Sequence, residues 1–203
     1  NPINPNIRQT KHIIIANYGN DSVALIQWAY EQRLEGVAVI SVNTGWAAPD
    51  WQARVEAGRA WVQSLGFQSV HLKAKAGFAE LMKTRGNFPT PKLQWCAGFL
   101  KGLPILEWLD SPEGDPYFLA MVLLPHRQKA LTEYVEESEH YSGRKLWYPL
   151  HTHSLEDRDQ LLSKTSLQKL QHRALECDPC VNSDANDWLR IDLASLKATA
   201  ELE

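Results

Sequence analysis

Two groups of residues in this chain have the types and spacing to do chemistry. The first is the string Asn17-Tyr18-Gly19-Asn20-Asp21-Ser22. It follows a short apolar run and precedes residues at helical spacing, so it reads as a strand–turn–helix junction. There, backbone N–H groups and the helix dipole face an anion, and Gly19 lets a phosphate approach the backbone. Asp21 and Ser22 order the turn, and the Ser22 hydroxyl is placed to donate to a phosphate oxygen. The plain alternative is an ordinary β–α turn in which Asp21 and Ser22 only cap a helix. The second group is Cys96, Cys177 and Cys180, the three cysteines of the chain. The two-residue gap in Cys177-Asp-Pro-Cys180 lets both sulfurs reach one metal centre. An iron–sulfur cluster, a redox dithiol and zinc with His140, His151, His153 or His172 as fourth ligand all satisfy that spacing. A pair of inert buried thiols is the plainest alternative, but it does not account for the spacing.

These groups need elements to position them. His12 to Ala16 is β-branched and nearly all apolar, as a buried parallel strand should be. Val23 to Leu34 carries apolar residues at helical spacing and stops at Gly36. Val37 to Val42 is a second buried strand, closed by the polar turn Asn43-Thr44-Gly45. The pattern then predicts a helix from about Asp50 to Leu65, a strand over Ser69–Lys73, a helix over Gly77–Met82 and another from Gln94 to Leu109. Gly102 and Pro104 should bend that last helix. Tyr117–Leu124 reads as a buried strand, and Glu133–Gly143 as a loop or exposed helix with an acidic face at Glu136, Glu137 and Glu139. Lys145–Leu150 reads as a last strand. Ser154-Leu155-Glu156-Asp157 has the form of a capping box, and the tail after Cys180 is helix-like. Alternating strands and helices predict an α/β fold with an open, doubly wound, mostly parallel sheet. Ligands should then bind at the carboxyl ends of the strands, where Asn43-Thr44-Gly45 joins the first loop.

Length suits one such domain over residues 1–203, with 1–11 as a lead-in and 181–203 as a C-terminal tail. A formal net charge of -3 gives no basic field for non-specific nucleic-acid binding. No apolar run has membrane-span length, and the proline-broken start has no signal-peptide core, so a cytoplasmic location is expected. The chain does not begin with Met, which implies processing or trimming. An odd cysteine count in that setting argues for metal or redox chemistry over a disulfide framework. Of the eight Trp residues, most should serve packing and some should wall a substrate pocket.

Four motifs, in order over about residues 12 to 180, carry a family resemblance. They are the loop Asn17–Ser22, the second-strand turn Asn43-Thr44-Gly45, Trp95-Cys96 followed by Lys101 and Pro104, and Tyr148-Pro149-Leu150 followed by the helix from Ser154. Together they resemble the phosphoadenosine phosphosulfate (PAPS) reductase-like branch of the adenine nucleotide α-hydrolase, or PP-loop, superfamily. The resemblance implies an adenine nucleotide such as ATP, with Mg²⁺, bound by Asn17, Tyr18, Gly19, Asn20, Asp21, Ser22, Asn43, Thr44 and Gly45. It implies catalytic roles for Asp21, Ser22 and Lys101. The family's loop has Ser where Asn17 stands and often Lys where Asn20 stands; its turn has Asp where Asn43 stands. Losing that Lys removes a point charge from the phosphates. Lys101, Arg127 and Arg144 are the cations that would replace it.

In adenosine phosphosulfate reductases of this family, a Cys-Cys pair and a later Cys-x-Pro-Cys hold a [4Fe–4S] cluster. Here Cys96, Cys177 and Cys180 remain, and Ala97 stands in place of the fourth. Three thiolates leave one iron open, as in PP-loop enzymes that insert or remove sulfur in nucleic-acid bases. By thiolate softness and family pattern, the ligand set favours Fe–S over zinc. The resemblance therefore implies sulfur transfer or removal on a nucleotide or nucleic-acid substrate, and the short length suggests a partner protein or subunit that completes the site. The alternatives are reduction of adenosine phosphosulfate or PAPS, and a non-catalytic nucleotide- or zinc-binding module. The reductases use a Cys in a C-terminal Glu-Cys-Gly motif, and no Cys follows Cys180.

Overall fold

The computed structural model describes Asn6, residues 10–126 and residues 132–202. The apolar runs form the expected strands β1 (His12–Ile15), β2 (Val37–Asn43) and β3 (Gln68–Lys73). Between and after them lie α1 (Asn20–Glu31), α2 (Trp51–Ser64) and α3 (Phe78–Arg85). A longer helix, α4, runs as an α-turn over Trp95–Ala97, a π-helical turn over Gly98–Gly102 and an α-helix over Leu103–Leu109. Pro104 accounts for the wide turn: it has no N–H for the Leu100 carbonyl, and its ring would crowd that carbonyl in a regular helix.

Two expectations are corrected. The run Tyr117–Leu124 supplies only a three-residue strand, β4 (Met121–Leu123), and Tyr117 ends a 3₁₀ turn over Asp115–Tyr117. The Tyr117 ring instead packs beside Trp108, and its hydroxyl donates to Gln68 Oε1 at 2.6 Å. The polar stretch expected as loop or helix contains β5 (Tyr134–Ser138), an antiparallel strand beside β6 (Arg144–Trp147) at the sheet edge. Edge strands tolerate charge on their open side, so its acidic residues hide it from a pattern search. Then follow α5 (Leu155–Leu162), α6 (Ala185–Arg190) and α7 (Leu193–Ala200). The capping box at Ser154 forms, with Asp157 closing it.

The sheet has six strands in the order β3-β2-β1-β4-β6-β5, all parallel except β5. One face buries Ile14, Val39, Leu123 and Trp147 against Ala24, Val62 and Leu161 of α1, α2 and α5. The other buries Ile13, Ile40, Val122 and Leu146 against Ile105, Trp108 and Leu109 of α4. Helices thus cover both faces, as parallel strands without a polar side require. The chain first steps from β1 through β2 to β3, then returns to place β4 on the other side of β1. That reversal opens a crevice at the carboxyl ends of β1 and β4. Among the described residues no helix is long and apolar enough to cross a membrane.

Candidate functional site

The loop after β1 lies at that crevice, and its side chains are already engaged with one another. Asn17 Oδ1 accepts from the Gly19 N–H at 3.0 Å. It also lies 3.1 Å from the Ser22 hydroxyl, which is shared with the Gly19 carbonyl at the same distance. Asn17 Nδ2 donates to Glu176 Oε1 at 3.1 Å. Tyr18 takes a positive φ of 59° and buries its ring against Gly58, where any Cβ would stand 2.3 Å from the ring. Burial pushes its phenol pKa up. Asn20, expected to face phosphate, grips a distant backbone: its Nδ2 donates to the Leu170 carbonyl at 2.8 Å, and its Oδ1 accepts from the Leu170 N–H at 2.9 Å. Asp21 faces Arg158 at 3.5 Å.

Residues 168–180 form a seam laid across both strand-end turns. Arg54 donates to the Tyr18 and Gln168 carbonyls, tying loop to seam. Gly19 lacks a Cβ because Ala174 sits where one would go, at 2.9 Å. At the second turn, Asn43 Oδ1 accepts from Gly45 N, and Thr44 Oγ1 donates to the Glu176 carbonyl. Trp46 pairs with Cys177 as a parallel bridge, and the Ala48 N–H donates to the Leu175 carbonyl. Asn43, Thr44 and Gly45 therefore receive the cysteine segment. Asn43 and Thr44 also line a small cavity with Ser41 and His71.

The three cysteines come together. Cys96, Cys177 and Cys180, all free thiols, line one cavity of about 510 Å³ with Lys101, Arg173 and the rings of Trp46, Phe78 and Phe88. Trp46 stacks on Phe78 at 4.7 Å, and Phe78 on Trp95 at 5.6 Å. Lys101, carried by the π turn of α4, reaches Glu176 Oε1 at 2.7 Å. Burial works to lower the Lys101 pKa, but the Glu176 carboxylate and neighbouring thiols outweigh it and raise it. For Glu176, burial works to raise the carboxyl pKa, and the Lys101 ammonium with the Asn17 amide overcomes it, so the acid stays ionised. Burial pushes the Cys177 thiol up to about 11, against the pull of Lys101. Burial, then the nearby Cys180, raises Cys96.

A second, polar cavity of about 1060 Å³ lies over the loop. Its walls hold Asn17, Gly19, Asn20, Asp21 and Ser22, with Arg158, Lys169, Arg173 and Arg190 as cations. Arg173 lines both cavities, and its Nε is buried without a hydrogen-bond partner. No sequence motif singles out Arg158, Arg173 or Glu176; the one available signal is that the last two lie just upstream of Cys177. The cations expected to replace the missing Lys fare differently. Lys101 faces the cysteines, and Arg127 lies outside the described residues. Arg144 is buried elsewhere, its guanidinium donating to the Tyr117, Leu109 and Tyr141 carbonyls, so it braces the α4 end of the sheet. None of His140, His151, His153 and His172 lines the cysteine cavity.

No protein-family model matches the chain, and no curated protein is similar to it. Solved structures are. A PAPS reductase from Candida auris, in its phosphate complex, aligns with a TM-score of 0.55 at 15% identity, over 78% of this chain and 74% of its own. The U34-tRNA thiolase NcsA from Methanococcus maripaludis, with its [4Fe-4S] cluster, aligns with a TM-score of 0.59 at 10% identity, over 98% of this chain and 67% of its own. The chain shares the α/β fold of these two proteins.

Proposed function

We propose that this chain is a PP-loop enzyme of sulfur chemistry. It activates a carbonyl-bearing nucleotide or nucleic-acid base with ATP and replaces the activated oxygen by sulfur. The observation that carries this reading is the pair of adjoining cavities. One is polar and sits on a helix N-terminus; the other is aromatic and lined by three thiols; Arg173 belongs to both.

The thiols fit a cluster better than a single ion. Tetrahedral zinc with Zn–S bonds of about 2.3 Å would draw its sulfurs to within ~4 Å of each other. Cubane ligands bind different irons and stand farther apart, around a cavity such as this one. When bound, a [4Fe–4S] cluster with three cysteine ligands supplies an open coordination position for inorganic sulfide.

The chain's own residues supply the rest. The α1 N-terminus, Ser22, Arg158 and Arg173 hold the phosphates of ATP, and Asp21 offers an oxygen to Mg²⁺. Trp46, Phe78 and Phe88 give a planar base an apolar wall. The base's carbonyl oxygen attacks the α-phosphorus and pyrophosphate leaves. Sulfide then adds to the activated carbon, and AMP departs with the oxygen and a proton is released. Lys101, an ammonium beside the thiols, balances the anionic sulfur.

Anaerobic reconstitution with iron and sulfide tests the ligand set: about four irons and four sulfides should bind per chain and be lost in Cys96→Ala. The loaded protein with MgATP, sulfide and bulk tRNA should then release pyrophosphate and incorporate sulfur. Sulfite formed from PAPS with a thiol donor would replace this reading by reduction. Stoichiometric ATP binding without turnover would replace it by a binding module.

A further inference from the structure

The loop after β1 has the donors of an anion site, yet an atom of the chain already occupies them. A phosphate at this turn would draw on the Gly19 N–H, which points at Asn17 Oδ1 at 3.0 Å, and on the Ser22 hydroxyl, which Asn17 Oδ1 shares with the Gly19 carbonyl, each at 3.1 Å. A carboxamide oxygen is a neutral acceptor of about the size of a phosphate oxygen, with less negative charge. The same side chain is latched from its other end. Asn17 Nδ2 donates to Glu176, an ionised and largely buried acid that Lys101 holds in place. Charge-assisted bonds of this kind are about twice as strong as neutral ones. The polar cavity is lined by Asn17, Gly19 and Ser22, so these buried donors lie at its wall.

We propose that Asn17 is a resident surrogate for the phosphate, and that its latch to Glu176 sets the affinity and selectivity of the loop. This rests on the nucleotide reading of the polar cavity. A phosphate enters by swinging the Asn17 amide off both donors and off Glu176. Weak anions such as inorganic phosphate do not repay those three contacts; a polyphosphate, which also engages Arg158 and Arg173, does. Asn17 is thus a positioning and selectivity residue. The carboxylate it leaves lies one residue from Cys177 and bonded to Lys101, so entry of the nucleotide is felt at the thiol cavity.

Calorimetric titration of the full chain with MgATP and with adenosine tests this. Asn17→Ala, which frees the Gly19 N–H and removes one of the two acceptors of the Ser22 hydroxyl, should bind MgATP about tenfold more tightly than the parent, since each neutral contact contributes around a factor of three to ten. Asn17→Ser should move in the same direction. Adenosine, without phosphates, should bind all three proteins alike, whereas a general disturbance of the pocket would shift both ligands together. Unchanged or weaker MgATP binding in folded Asn17→Ala and Asn17→Ser overturns the surrogate role while leaving the nucleotide reading intact. No MgATP binding by parent or variants overturns both.

Discussion

Removing the ammonium of Lys101 leaves Glu176 enclosed with the Asn17 amide and the solvent it can reach. A fully buried ion pair broken from one side is destabilised by about 3–5 kcal/mol. The Lys101 side chain is 37% exposed, so solvent screens part of that and Lys101→Met should lose about 2 kcal/mol in urea unfolding. Adding Glu176→Gln should restore most of it, and a double variant no more stable than Lys101→Met would show that the pair is not coupled. Asn20 makes a comparable test at the loop. Its amide satisfies both polar groups of Leu170, so Asn20→Ala should lower stability by roughly 1–2 kcal/mol and speed proteolysis within residues 168–180. Unchanged cleavage there would deny the staple. Motif reading finds these positions but not their partners within the chain. Asn17 and Asn20 sit at the right places in the turn, but their side chains are directed by residues about 150 and more positions away. Nothing in the local string separates an Asn that meets phosphate from one that meets Leu170. Glu176 is illegible for the same reason: a buried acid and a surface acid are spelled alike.

The elements are far easier to read than their roles. β1 and β2 are short, branched and apolar because they are covered on both faces, and an exposed or half-exposed segment would not keep that pattern. The thin strand β4 and the charged edge strand β5 carry little of it, so the pattern overextends the one and misses the other. One contact between elements tells how tightly the loop is anchored. Gly58 of α2 gives way to the ring of Tyr18, whose closest carbons would lie 2.3 and 2.5 Å from a methyl group at that position. Gly58→Ala should therefore destabilise the fold by about 1–3 kcal/mol, despite alanine's better helix propensity. Pairing it with Tyr18→Ala should make the two losses less than additive. Strict additivity in a thermal-melt cycle would show that the ring and the glycine do not meet.

The molecule as a whole should also show a marked alkaline limb. Tyr141 packs beside the second core, and burial, then the neighbouring Tyr148, lifts its phenol from 10.0 to about 12. The folded state therefore keeps a proton that the unfolded chain gives up. The stabilisation is present below pH 10 and is lost as pH rises toward 12, on the order of 2 kcal/mol. Tyr141→Phe should flatten that limb in denaturant titrations at pH 9 and 11.5. Parallel losses in parent and variant would assign the limb to other groups.

The seam at residues 168–180 has a consequence in time as well as in space. It joins the turns after β1 and β2 through Asn20–Leu170, Asn17–Glu176 and Thr44–Glu176, pairs separated by 150, 159 and 132 positions. Closing loops of that span is entropically expensive and slow, so these contacts belong among the last to form. As the chain leaves the ribosome, the first strands and their turns wait unfinished until the cysteine segment arrives. The loop that would hold phosphate and the thiols that would hold iron are then completed by one event, and a chain able to load one is already built to load the other.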